Sequence, residues 1–422
     1  MGIIRNLGSG GSKWQSCKYD VNVEIHFENG TVRALKKAQI AGFFIEKDFD
    51  KDHLPILLLD LALSRIDENS ITNKTEFHIR VKKFYLETEG GEKKNQEMYL
   101  NDTFVKLDLG ETPDNTTKVD KEIRSLNMMK DGDVAPEDLL SQKTYPLIKK
   151  DDLILTKKVI NGVLANVSQL DIITWSLSKA GCRKKILLSN IMNATKVEEK
   201  LILPKGLLVN LLETEREYGW HREGTCIFID YNMFYIIRMN GQCTAWQQGE
   251  PKNVVFCISE ATSDENIPSG VLVQRDKIYM NIGLDQYKMM SATDISDQIE
   301  GNNMILVDTG NGNANNVSGG VTSYGNSAGA YNTKSYHGHN EYVSEQYKRR
   351  KMEQKNQLKI TASNCDIGFL TPNKQFSILT DVTSIVNRFS GCYRIASFKS
   401  AFVKNGDYFD STTDITIKQV SN

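Results

Sequence analysis

Between Leu211 and Arg238 the chain reads LLETEREYGWHREGTCIFIDYNMFYIIR, which gathers Glu213, Glu215, Glu217, His221, Cys226 and Asp230 into one short stretch. Three chemistries could use such residues. A metalloprotease helix needs two histidines one turn apart with a glutamate between them, and here His221 stands alone behind Gly219 and Trp220. A paired-carboxylate hydrolase needs acids that face each other, whereas the i, i+2 spacing of the three glutamates turns them to different faces of a helix. That is the pattern of a solvated helix surface. A thiol nucleophile needs a base delivered by the fold, and the spacing of His221 and Cys226 does not identify one. Asp230, after an apolar strand, reads as a turn former whose carboxylate accepts bonds from the following backbone amides. The stretch predicts a packing unit made of a helix, a glycine stop and an amphipathic hairpin.

The rest of the chain offers little more chemistry. Of six histidines only His337 and His339 are close together, and they lie in a Gly/Asn-rich segment without further ligands. No GxSxG or GxxxxGK[ST] motif occurs, and no GxGxxG opens a helix. The seven cysteines, Cys17, Cys182, Cys226, Cys243, Cys257, Cys365 and Cys392, are dispersed and form no CxxC pair, which argues against a zinc site or a disulfide framework. No cofactor and no metal is expected. The basic run KRRK at 348–351 is offset by Glu341, Glu345 and Glu353 and reads as a solvated helix face.

Bulk composition sets the frame for these residues. Lys+Arg 52 against Asp+Glu 53 leaves a formal charge of −1. Near-neutrality argues against bulk nucleic-acid binding and removes the repulsion that keeps proteins monomeric. With 422 residues, 40% of them hydrophobic, the chain has room for roughly two to four domains. The N-terminus lacks an apolar signal region. The most apolar run, LPILLLDLALS, is too short to span a bilayer and contains Asp60. A soluble protein made in a cytoplasm, without a membrane segment, is expected.

The elements that must position the stretch begin with β structure. In YDVNVEIHF, Val21, Val23, Ile25 and Phe27 alternate with polar residues, and Asn29-Gly30 follows as a hairpin turn. IAGFFIEKDF, LPILLLDLALS, TEFHIRVKKFYLE and TFVKLDL continue the set as a small barrel or sandwich. Residues 113–150 are polar and read as a connecting arm with one short helix. Ser168 with Asp171 opens a helix carrying Leu170, Ile173 and Leu177, and Gly181 ends it. RKKILLS is a short strand, and Leu207, Leu208, Leu211, Leu212 and Tyr218 follow at helical spacing. CIFID and MFYIIR are strands around the turn Asp230-Tyr231-Asn232. Residues 308–340 read as a flexible excursion, and 341–357 as a charged helix. GCYRIASFKSAFV and TDITIKQV close the chain as strands. The fold class expected is α+β, mainly β.

A helix ending in Tyr218-Gly219, a polar turn, a strand with Phe228 and Asp230, and a Tyr-rich strand with Tyr235 resemble the central hub proteins of phage and phage-like contractile tail baseplates. The run FFIEKDFDKDHLPILLLDLALS with TEFHIRVKKFYLE is similar to the first tube-forming domain of that family. The closing segment, with Gly391 and Tyr393, is similar to its final strands. Order and spacing carry the resemblance over about half the chain, and the segment 308–340 has no counterpart in it.

The resemblance implies two similar tube-forming β-barrel domains with helical or mixed insertions. The first would span 1–112, followed by an arm at 113–150 and a mixed α/β inserted domain at 151–222. A β segment at 223–300 would contribute to the second barrel and the insertion. A Gly/Asn-rich loop and charged helix at 301–356 would precede the closing strands of the second barrel at 357–422. It further implies a non-enzymatic virion protein, assembled in the host cytoplasm, that forms a homotrimeric ring in the tail baseplate. Such a ring would adapt a sixfold tail tube to a threefold central spike, meet tape-measure and wedge proteins, and pass DNA or effector without specific binding. Duplicated barrels let a threefold object present six similar surfaces. Two other functions compete. A tail-associated cell-wall hydrolase requires a cleft with perturbed carboxylates or a metal, and a receptor-binding adhesin would use 308–340 as its contact.

Overall fold

The computed structural model describes residue 7 and residues 13–87, 92–107, 140–189, 197–218, 225–238, 250–259, 270–274, 276–283, 287–289, 305–307, 321–323, 357–380 and 391–420. The first part of the chain forms β1 (Ser16–His26), β2 (Val32–Ala34), β3 (Ile40–Asp48), β4 (Ile56–Ser64), the short helix α1 (Arg65–Asn69), β5 (Glu76–Leu86), β6 (Lys94–Lys106) and β7 (Leu140–Lys149). A mixed region follows with α2 (Lys150–Thr156), β8 (Val159–Ser168), α3 (Gln169–Ala180), β9 (Lys185–Leu188), β10 (Val197–Leu207), α4 (Leu208–Tyr218), β11 (Thr225–Ile229) and β12 (Met233–Arg238). Next come β13 (Asn253–Ser259), β14 (Val271–Gln274), β15 (Lys277–Gly283), β16 (Tyr287–Met289), β17 (Ile305–Val307) and β18 (Val321–Ser323). The last described elements are β19 (Gln357–Ser363), β20 (Gln375–Thr380), β21 (Tyr393–Asn405) and β22 (Tyr408–Gln419).

Eight of these strands close a barrel in the order β1, β5, β6, β7, β4, β3, β21, β22, with β22 returning to β1 through Tyr19 and Phe409. Every ladder in it is antiparallel. The period of two explains the closure. Val21, Val23 and Ile25 of β1, Leu57, Leu59 and Leu61 of β4, and Phe77, Ile79 and Val81 of β5 are all buried, so each strand turns one apolar face inward. The interior is filled by side chains, as expected of so few strands. Phe43 stacks on Phe402 at a centroid distance of 4.0 Å, and Tyr19 meets the same Phe402 ring edge-on at 4.7 Å.

Three staves come from places the sequence pattern does not assign to this barrel. Residues 140–149, inside the expected connecting arm, form β7, pairing Leu57 with Leu147 and Leu59 with Tyr145. Pro146 and the surrounding lysines obscure this strand, but Tyr145 and Leu147 point inward and are buried. The Pro146 carbonyl accepts from Leu107 N at 2.8 Å. The final hairpin, expected to close a second barrel, supplies β21 and β22 to the barrel built on the first part of the chain. Asp50 fastens it there, accepting from Arg394 Nη1 and Lys418 Nζ at 2.6 Å each.

The same hairpin also carries the second sheet. β21 pairs with β20, which runs parallel to β13, which runs parallel to β15, with β14 antiparallel at the edge. On the other side β22 pairs with β19, and β19 with β16. The described residues are therefore mainly β, with a closed eight-strand barrel whose last hairpin continues into a second, mixed sheet.

In chain order the mixed region comes between the barrel's first strands and the second sheet. Ser168 and Asp171 form the expected reciprocal cap on α3, with Ser168 N donating to Asp171 Oδ2 at 2.8 Å. Gly181 ends the helix at φ 83°, a left-handed conformation that glycine adopts without a Cβ clash. Ile173 and Leu177 of α3, Leu208 and Leu212 of α4, and Ile227, Ile229, Phe234 and Ile236 share one core. β11, β12 and β9 form a three-stranded sheet, so the hairpin at 225–238 joins this region. The segment expected to be a Gly/Asn-rich loop and charged helix lies outside the described residues, apart from the small β17–β18 ladder.

Candidate functional site: a hairpin seated at one end of the barrel

The β11–β12 hairpin is buried on both faces. Ile227, Ile229, Phe234 and Ile236 face the helices, while Cys226, Phe228, Tyr235 and Ile237 belong to the barrel core. Two buried faces require a continuous apolar run, which CIFI and MFYII supply. Phe228 packs edge-on against Phe49 with centroids 4.7 Å apart. Tyr235 lies directly across the ladder from Phe228, and its hydroxyl bonds to Thr371.

The turn of this hairpin meets three lysines. Ile45 of β3 and Leu147 of β7 both pair with Leu57, so Lys47 and Lys149, two residues further along each strand, lie at the same end of the barrel. Lys47, only 3% exposed, grips Asp230 with Nζ 2.6 Å from Oδ1 and 2.7 Å from Oδ2. It also lies over the Tyr231 ring at 5.0 Å. Lys149 donates to the Tyr231 carbonyl at 3.0 Å and pairs with Asp102 at 2.7 Å. Lys184, from the segment before β9, donates to the Asp230 carbonyl at 2.5 Å and pairs with Asp152 at 2.6 Å. The Tyr231 ring meets Phe104 and Tyr99 edge-on at 6.0 and 6.3 Å.

Burial shapes the electrostatics of this cluster. It pushes the Asp152 carboxyl up to about 6, against the opposing pull of Lys184. It likewise lowers Lys184, against the pull of Asp152. Both shifts are toward neutral forms, the signature of a pair whose desolvation rivals its attraction. The Tyr231 and Tyr235 phenols are pushed well up by burial, with the Asp230 carboxylate adding to it. Each carboxylate in the cluster is engaged by a lysine. Of these contacts, the Lys47–Asp230 pair and the Lys149 bond to the Tyr231 carbonyl are the ones that join the inserted region to the barrel.

The residues singled out by the sequence fall into two groups. Phe228, Asp230 and Tyr235 come together at this junction. Asp230 forms the expected turn, accepting from Tyr231 N at 2.8 Å, and in addition holds Lys47. Gly391 and Tyr393 lie elsewhere, at the start of β21. Tyr393 pairs there with both Gln419 and Phe376, where the last hairpin branches into the second sheet. Gly391 has φ 136°, and a Cβ on it would approach Gln419 Nε2 to 2.6 Å. The Tyr218 side chain and Gly219 lie outside the described residues, as do His221, His337, His339 and the basic run at 348–351.

Sequence reasoning missed Lys47 and His53. Lys47 continues the inward phase of Phe43 and Ile45, and a lysine in that phase signals a buried acid partner. His53 Nε2 lies 2.5 Å from Glu213 Oε2 and its Nδ1 3.2 Å from the Ile227 carbonyl. Glu213 thus tethers α4 to the turn after β3. Cys226 is buried in the barrel core. Among the described residues no group of three or more His, Cys, Asp or Glu is placed to hold a metal ion. Among them, too, no helix is long and apolar enough to cross a membrane.

A profile of the family described as Bacteriophage PBS1 gene 109 protein matches residues 12–420. No curated protein sequence matches the chain. Among solved structures it is similar to the tail protein from Neisseria meningitidis MC58, with TM-score 0.48 and 8% identity over 95% of this chain and 97% of that one. It is also similar to the 43 kDa tail protein of prophage MuSo2 from Shewanella oneidensis, with TM-score 0.44 and 10% identity over 93% and 97%. A third likeness is to an E. coli component of the type VI secretion system, with TM-score 0.38 and 10% identity over 97% and 75%.

Proposed function

The chain belongs to the bacteriophage PBS1 gene 109 protein family, and from that premise we propose that it is the structural hub of a phage tail baseplate, assembling as a trimeric ring. The observation that carries this reading is the shared hairpin. β21 and β22 close the first barrel and continue into the second sheet, so two β units are held side by side in each subunit. Three subunits then present six β units around one axis, and a heterologous ring of that kind can meet a sixfold tube on one side and a threefold spike on the other. In this reading the second sheet is the second tube-forming domain.

The closed barrel is packed with side chains, so the channel runs between β units along the ring axis. DNA slides through it without specific contacts, in keeping with the near-neutral composition. The tail tube protein, the central spike, the tape-measure protein and the wedge proteins are the partners, and the baseplate of the virion is the location. Phe228, Asp230, Tyr235, Gly391 and Tyr393 act structurally, by seating the inserted region and by branching the last hairpin. Neither catalysis nor a cofactor enters this role. Electron microscopy of the purified protein tests it: threefold rings with six peripheral densities around an opening support the hub, and dispersed monomers at assembly concentrations that are also absent from tails refute it.

A further inference from the structure

A cleft of about 900 Å³ opens beside the hairpin turn, between α2 and the segment that follows α3. Lys158, Arg183 and Lys185 line it, are exposed, and have no ion-pair partner among the described residues. The other charges there are mostly spent. Lys184 is matched by Asp152 and Lys149 by Asp102, which leaves Asp151 as the one unmatched carboxylate among the described lining residues. In a chain whose overall charge is −1, this is a local excess of cations with a direction. Ile154 shares the lining with these cations, next to the largely buried Leu155 and Met233. Ile154 is 45% exposed although its neighbour Leu155 is buried.

We infer that this cleft docks an acidic segment of a partner protein, one that sets an apolar side chain on Ile154 and its carboxylates on Lys158, Arg183 and Lys185. The volume lies within the range that takes a ligand of several residues, and opposite charge supplies orientation and a fast encounter. A nucleic acid fits less well. The one aromatic residue in the lining, Tyr231, is buried against Tyr99 and Phe104, so no ring is free for bases to stack on. The inference stands independently of the trimer.

The test is fluorescence anisotropy of the full chain with a labelled peptide of alternating glutamate and leucine, set against a lysine/leucine peptide and an oligothymidine strand. Saturable binding of the acidic peptide is expected, weakening as salt is raised. The double variant Arg183→Glu/Lys185→Glu should weaken it by about tenfold or more, and Ile154→Ser by about threefold or more, both with an unchanged thermal melt because all three residues are exposed. Absence of saturation, equal binding by the double variant, or equal binding of oligothymidine would each overturn the proposal.

Discussion

Removing the Asp230 carboxylate should be one of the most damaging single changes outside the apolar core. In Asp230→Ala the Lys47 ammonium, 3% exposed, keeps its place at the end of the barrel but loses both of its short contacts. Breaking a buried pair from one side costs about 3–5 kcal/mol, because the remaining charge is left without compensation. The Tyr231 ring beneath Lys47 is there with and without the carboxylate and does not enter the difference, so a net loss of about 3–5 kcal/mol is expected. Lys47→Met combined with Asp230→Asn removes both charges while Asn can still accept from Tyr231 N. That double variant should recover on the order of 2 kcal/mol relative to Asp230→Ala. Urea unfolding gives the totals. Native-state hydrogen exchange at β11 and β12 shows whether the loss is local to the hairpin. A cost below about 1 kcal/mol for Asp230→Ala, or a double variant less stable than the single, would refute the view that this pair seats the inserted region.

Three further outcomes follow from the same geometry. Burial alone would raise the Asp50 carboxyl, but Arg394 and Lys418 override it and hold the group well below the usual carboxylate range. Its contribution is therefore present above about pH 4 and lost as pH falls toward the lowered folded value; Asp50→Asn should lose that acid limb in pH-dependent melts and loosen the last hairpin in hydrogen exchange. Asp152 has the opposite sign: raised from 3.8 to about 6, it favours the folded state when protonated, so its contribution fades as pH rises through that window. The stability of the native chain relative to Asp152→Asn should fall by about 2 kcal/mol between pH 4 and pH 7, measured by urea melts. Gly391→Ala places an L side chain at φ 136° and should cost about 1–3 kcal/mol, with faster amide exchange at the start of β21.

Local patterns were legible where one face of an element decides it. The alternation in β1 and β5, the apolar run of β4 and the reciprocal cap at Ser168 and Asp171 all read directly from the sequence. So did the glycine stop at Gly181 and the hairpin around Asp230. What local patterns do not carry is the partner of each strand. The closure of β22 onto β1 is made by the ladder pair Tyr19 with Phe409 and the ion pair Lys18 with Asp410, at opposite ends of the chain, and no short-range periodicity encodes it. β7 was hidden because Pro146 and the lysines around it look like linker, although Tyr145 and Leu147 keep the inward phase. At the hairpin turn, Asp230 was visible as a turn residue but its second duty was not. The clue lay in β3, where Lys47 follows Phe43 and Ile45 on the face that should be apolar.

Cryo-electron microscopy of the purified full chain, with its mass in solution measured by light scattering, decides whether the trimeric ring exists. Three chains per particle are expected, in a ring where the closed barrel and the second sheet alternate around an open axis. A particle of one chain at every concentration, or a ring in which either β unit lies away from the axis, would contradict the hub reading.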